Sequence, residues 1–147
     1  MLDDNLPNMF VLFLGRKRRY WTDWLCSENF RHCAPFWFDA NIQRWVIMDS
    51  VPLGIHVACL SPEEFDEWLV LVKRAGARIL RANKRNSPHF FSRLGLWCVP
   101  FTAHVIGSRS RAWRPEGLWR DLLREGAVPA FDNQRQDSFD DKNESAH

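Results

Sequence analysis

Cys98 is the residue best placed to do chemistry, because it opens the stretch Cys98 to Ile106, which reads as a helix stopped by Gly107. The unpaired amides and the dipole of a helix N-terminus favour the charged form of a thiol, and the thiolate is the nucleophile. Pro100 is compatible with this helix only in its first turn. A thiol nucleophile also needs a base within hydrogen-bond reach, usually an imidazole oriented by a third polar group.

His32 and Asp49 are the candidates for base and orienter. From Phe30 to Cys59 the chain is rich in aromatic and β-branched residues, with a turn expected at Asp39-Ala40-Asn41-Ile42 and a second break at Ser50 to Gly54. That pattern gives two or three antiparallel strands. With the first turn centred between Ala40 and Asn41, His32 faces Asp49, and opposed Cβ atoms in such a pair lie about 5 Å apart. Phe30, Ala34, Phe36, Trp45 and Ile47 are expected on the same face. A turn one residue longer would send Asp49 to the other face and dissolve the pair.

Each of the three has a purely structural alternative. A cysteine before a helix also serves as a small buried residue, His32 as a half-buried core histidine, and Asp49 as a cap on the turn at Ser50-Val51-Pro52. Cys33 is expected on the face opposite His32. Cys26 and Cys59 have no base nearby in sequence, and His104 falls on the body of the Cys98 helix. His56 and His89 stay open as partners should the register differ.

The elements that must hold these residues are legible along the chain. Met9 to Leu14 is apolar throughout and reads as a buried strand, preceded by a polar or proline-broken arm over Met1 to Asn8. Ser61-Pro62-Glu63-Glu64 carries a capping box with proline at the first helical position. Phe65, Trp68, Leu69 and Val72 then give one apolar helical face, which Gly76 ends. Ala77 to Arg81 reads as a strand and Asn83 to Pro88 as a loop. Arg114-Pro115-Glu116 starts a third helix, with Leu118, Trp119, Leu122 and Leu123 as its stripe and Gly126 as its end. The expected class is α+β: a small antiparallel sheet packed against about three helices, in a single domain over residues 1–129. Residues 130–147 hold Asp132, Asp137, Asp140, Asp141 and Glu144 against Arg135 and Lys142, an acidic tail expected to be flexible or to lie on a partner.

Composition narrows the function classes. The 147 residues include eight Trp and eleven Phe at 46% hydrophobic content, enough for a substantial core. The net charge of +2 gives no field that favours nucleic acid or an anionic membrane, and the basic runs Arg16 to Arg19 and Arg109-Arg111-Arg114 read as solvated loops beside the core. No nucleic-acid partner is expected, and the apolar run of β character is far shorter than the ~20 residues of a membrane span. Cys26, Cys33, Cys59 and Cys98 form no C-x-x-C pair, and the five histidines no H-x-x-x-H, so no metal or other cofactor is expected. Thiols in such a pattern suit a reducing cytoplasm.

The segments Phe30-Arg31-His32-Cys33-Ala34-Pro35-Phe36-Trp37, Trp45-Val46-Ile47-Met48-Asp49, Leu96-Trp97-Cys98-Val99 with Gly107, and Pro115-Glu116-Gly117-Leu118-Trp119 resemble small phage-encoded papain-like proteins of the permuted NlpC type. The resemblance covers about residues 30–125. It implies a papain-like fold in which the histidine strand precedes the cysteine helix, with Cys98 as nucleophile, His32 as base and Asp49 as orienter. It further implies a phage or prophage cysteine hydrolase, a peptidase or amidase of cell-wall peptides, working through a thioester. Such a protein is made in the host cytoplasm and can be carried in the virion or its tail. Pro100 departs from the pattern, standing where a polar or small helix-forming residue is usual. A competing reading is a non-catalytic virion structural or adaptor protein of the same shape. Its Trp21, Trp24, Trp113 and Trp119 and its acidic tail would contact other virion or tail proteins.

Overall fold

Met9-Phe10-Val11-Leu12-Phe13-Leu14 is apolar at every position, the pattern of a strand covered on both faces, and it forms β1 (Met9–Leu14) inside the sheet. The structure is a computed structural model that describes residues 8–15, 30–51, 54–82 and 97–132. Among the described residues the remaining strands are β2 (His32–Asp39), β3 (Arg44–Val51), β4 (Gly54–Leu60), β5 (Arg78–Ala82) and β6 (Val128–Pro129). The helices are α1 (Pro62–Arg74), α2 (Cys98–Ile106) and α3 (Pro115–Arg124). All strand pairs are antiparallel, in the order β4-β3-β2-β1-β5-β6, so the molecule is α+β.

Alternation along β1 and β2 splits the core between the two faces of this sheet. Met9, Val11, Phe13 and Cys33 join Leu80, Ala82, Val99, Ala103, Ile106, Leu118 and Leu122 beneath α2 and α3. Leu12, Phe36, Ile47 and Ile79 join Phe65 and Leu69 of α1 on the other side. The second cluster is strongly aromatic: Trp45 lies flat on Phe65 with ring centroids 3.8 Å apart, and Phe36 packs edge-on to Trp68 at 5.5 Å.

Local signals explain the helices. Ser61 Oγ accepts the Glu64 N–H at 3.2 Å while the Glu64 carboxylate accepts the Ser61 N–H at 2.7 Å, the capping box read from the sequence. Phe65 and Leu69 are buried, with Trp68 and Val72 half-buried beside them. In α3, Leu118 and Leu122 are fully buried and Trp119 stacks on Phe30 at 5.0 Å, but Leu123 is 41% exposed. It sits next to the apolar stripe rather than in it.

Several expectations are corrected. The β2–β3 turn is centred between Asn41 and Ile42, one residue later than its expected position, with Asp39 paired to Arg44. The Asp39 carboxylate accepts the Asn41 N–H at 2.9 Å, and Gln43 takes a left-handed φ of 54°. Asp39 thus closes the strand and initiates the turn instead of lying within it. Phe30 joins the α2–α3 cluster, not the face of Phe36, because β2 begins only at His32 and the strand alternation does not extend back to residue 30. The short strand β6, only two residues long, carries no pattern of its own in the sequence. Ala130 and Phe131 also belong to the fold rather than to a flexible tail, since Ala130 N–H bonds the Ile79 carbonyl at 3.0 Å and Phe131 packs 5.2 Å from Phe10. Residues 1–7, the basic run at 16–19, Trp21, Trp24, Cys26, the loop expected at 83–88, His89 and residues 133–147 lie outside the described residues.

Phe36 is fully buried at the centre of the aromatic cluster. Phe36→Ala is expected to lower unfolding free energy by about 3–5 kcal/mol, the range for deleting a buried ring, measured by urea denaturation.

Candidate functional site

His32 and Asp49 meet where two strands part. The β2–β3 ladder runs from Asp39↔Arg44 to Phe36↔Ile47 and stops there. Pro35, the next residue of β2, has no N–H to donate. Beyond it β2 stays paired with β1 as far as Leu14↔His32, and β3 with β4 as far as Val51↔Gly54. Across this unladdered end, His32 Nε2 and Asp49 Oδ1 lie 2.6 Å apart. The turn that slides the register moves it by two positions, so both side chains keep their common face and meet diagonally rather than squarely. The His32 side chain is 11% exposed and that of Asp49 32% exposed.

Helix α2 brings Cys98 to the same strand end. Val99, Thr102, Ala103 and Ile106 are buried, which fixes one face of the helix against β2 and the core. Gly107, with φ of 70°, ends it in a left-handed cap in which the Ser108 N–H reaches the Ala103 carbonyl at 2.9 Å. The following segment is tied to α3: Ser108 Oγ donates to Glu125 Oε1 at 3.1 Å and Ser110 Oγ to Asp121 Oδ2 at 2.6 Å. At the other end the N-cap is Trp97, whose side chain makes no capping bond, and Pro100 contributes no N–H. Cys98 and Val99 therefore carry the leading amides of the helix, at the position of the thiol.

The electrostatics follow from this crowding. A hydrogen bond from the Cys33 thiol is the largest influence on Cys98; burial opposes ionisation, but the hydrogen bond and charge of His32 add to the effect of Cys33 and bring the Cys98 pKa from 9.0 down to about 5. For His32, burial is the largest influence and acts to lower its pKa, yet the bond to Asp49, the bond to Cys98 and the charges of both together raise it from 6.5 to about 9. At neutral pH the two groups form a thiolate–imidazolium pair. Since Asp49 holds Nε2, Nδ1 is the nitrogen left to serve the sulfur. Burial pushes the Cys33 thiol well above the ordinary range, so it remains protonated and able to donate.

The fold thus brings together Cys98, His32 and Asp49, and adds Cys33. By strand alternation Cys33 is expected on the face opposite His32 and away from the site. Alternation does bury Cys33 under α2, with Sγ 3.6 Å from Thr102 Oγ1, but Cys98 arrives on that side at the strand terminus and interacts with both neighbours. The available signal was the spacing of Cys98 and Thr102, four residues apart and hence on one face of α2. His56 lies opposite Asp49 on β4 and is exposed, His104 is exposed on α2, and Cys59 is exposed on β4. Among the described residues no group of three or more His, Cys, Asp or Glu is arranged to hold a metal ion, and no helix is long and apolar enough to cross a membrane.

Comparison with known proteins gives no match: no family model, no curated protein and no solved structure is significantly similar to the chain.

Two measurements check the ion pair. Iodoacetamide alkylation of Cys98, followed by peptide mass spectrometry, is expected to titrate with a midpoint near pH 5 and to be level through neutrality. In His32→Ala the midpoint moves up toward the ordinary thiol range. A wild-type midpoint already in the ordinary thiol range would show that the pair does not form. The second measurement is stability against pH. The Cys98 contribution is complete above pH 9 and is lost as pH falls through about 5, whereas the His32 contribution is complete below 6.5 and is lost as pH rises through about 9. These slopes cancel above about pH 6.5 and leave only the cysteine slope below it. Wild-type stability is therefore expected to fall between pH 6.5 and 5 more steeply than that of the Cys98→Ala/His32→Ala double variant, as read by thermal unfolding across that window.

Proposed function

We propose that the chain is a cysteine hydrolase with a papain-like arrangement in permuted order, the histidine strand preceding the cysteine helix, acting on amide or ester bonds. The observation that carries this reading is the 2.6 Å His32–Asp49 bond, with Cys33 and then His32 drawing the Cys98 pKa down to about 5. A buried ion pair of this kind is costly to desolvate and gives little stability for its cost, which makes a chemical role the better account of it.

The chemistry follows from the positions. The Cys98 thiolate attacks the acyl carbon, and the amides of Cys98 and Val99 at the head of α2 are placed to stabilise the oxyanion that develops. His32 gives its Nδ1 proton to the departing amine or alcohol, leaving a thioester on Cys98. The neutral imidazole then takes a proton from water, which attacks the thioester and frees the sulfur. Asp49 keeps the ring oriented and balances its charge throughout. Cell-wall peptides of a bacterial host are the substrate class, and a phage protein made in the host cytoplasm and carried in the virion is the setting; both rest on the sequence resemblance alone.

A specific observation also favours the adaptor reading. Strand β4 is a sheet edge exposed along Gly54 to Cys59, with Ile55 at 46% and Val57 at 55% exposure, and Trp113, between α2 and α3, is 64% exposed and in neither core cluster. An uncharged open edge is a pairing surface for another chain. Trp119, by contrast, is packed between Phe13 and Phe30 and does not belong to such a surface.

Release of new amines from purified peptidoglycan, with p-nitrophenyl acetate as a general ester probe, tests the hydrolase reading. Cys98→Ala is expected to abolish turnover, and His32→Ala to reduce it by on the order of 10²–10⁴-fold, the usual worth of a positioned acid–base group. Equal turnover by wild type and folded Cys98→Ala would overturn it.

A further inference from the structure

The hydrolytic scheme gives the Cys33 thiol no chemical step. Cys33 is buried to 1% exposure, yet it is no isolated core thiol: its Sγ lies 3.6 Å from Thr102 Oγ1, one helical turn along from Cys98 on the face of α2 that packs on β2. Cys98 packs against the same core cluster that contains Cys33, and the Cys33 thiol is the largest influence lowering the Cys98 pKa. Both are reduced in this structure. The pairing is asymmetric, since Cys98 is half-buried while Cys33 is almost wholly enclosed.

From this juxtaposition we propose that Cys98 and Cys33 form a hydroperoxide-reactive couple, in which Cys98 is the site of oxidation and Cys33 resolves it as an internal disulfide.

The steps balance with the hydroperoxide as the sole oxidant. The Cys98 thiolate attacks the terminal peroxide oxygen; an S–O bond forms as the O–O bond breaks, and the departing alkoxide or hydroxide takes its proton from the His32 imidazolium. Cys98 is then a sulfenic acid, oxidised by two electrons, and the peroxide is reduced to alcohol or water. The Cys33 sulfur attacks the Cys98 sulfur; an S–S bond forms as the S–O bond breaks, and the hydroxyl leaves as water with the Cys33 proton. An external dithiol returns both residues to thiols by exchange. The disulfide removes the nucleophile from service and protects it from the irreversible sulfinic and sulfonic states. The couple needs the two sulfurs and the His32 proton, and stands whether or not Cys98 cleaves a substrate.

The test uses the full chain carrying Cys26→Ser and Cys59→Ser, so that only Cys33 and Cys98 remain. After brief exposure to hydrogen peroxide and trapping of residual thiols, peptide mass spectrometry is expected to find the Cys33 and Cys98 peptides linked with loss of two hydrogens, and separated again by dithiothreitol. When Cys33→Ser is added, dimedone is expected to trap a sulfenic acid at Cys98 that it does not trap while Cys33 is present. In Cys98→Ser, Cys33 is expected to stay reduced at the same peroxide dose. Failure to find the linked peptides while Cys98 is oxidised, or a dimedone adduct on Cys98 equally abundant with and without Cys33, overturns the proposal. Loss of peptidoglycan cleavage is not part of the readout, so a chain with the disulfide and no hydrolysis sinks the hydrolase reading alone.

Discussion

The 2.6 Å contact between His32 and Asp49 is the constraint on which the site depends. An imidazole left at a strand end could rotate away from the sulfur, and burial alone would strip its proton. The carboxylate prevents both, because it fixes the ring through Nε2 and supplies the charge that holds the proton on the ring against desolvation. The sulfur ionises in turn because that proton stays. The thiol and the imidazole thus set each other's protonation, with the carboxylate raising the pKa of the ring.

Such a cluster needs a rigid setting, and the sheet provides one by being covered on both faces. The histidine is carried by β2, a strand flanked on both sides within the sheet and packed by α1 below and by α2 and α3 above. The cysteine is carried by a helix anchored through four buried residues and tied at its far end to α3 through serine–carboxylate bonds. The His32–Asp49 contact forms beyond the early end of one ladder, next to a proline, while the ladders on either side continue.

Much of this was legible from residue types alone. The capping box of α1, the apolar run of β1, the glycine end of α2 and the proline start of α3 each rest on local physics and appear where the pattern puts them. The His–Asp pairing survived a misplaced turn because strand faces repeat every two residues: sliding the turn centre by one residue moves partners by two and changes no face. What the sequence could not reveal depends on long-range contact. Strand β6 has two residues and no pattern of its own, Phe131 is apolar in an otherwise polar stretch, and Cys33 meets Cys98 only through the docking of α2. Face assignments from alternation also break down at a strand terminus, where Cys33 and His32 both interact with the one sulfur.

The interior position of β1 also bears on how the molecule comes to be assembled. Its six apolar residues pair with β2 on one side and, through Met9↔Ala82, with a strand nearly half the chain away on the other. Until β5 has been synthesised and threaded in, that edge is an uncharged template open to any other nascent chain. Distant strand pairing of this kind slows folding and prolongs the hazard of misassembly, so the kinetics of maturation, more than the depth of the native well, should govern how much functional protein a cell recovers.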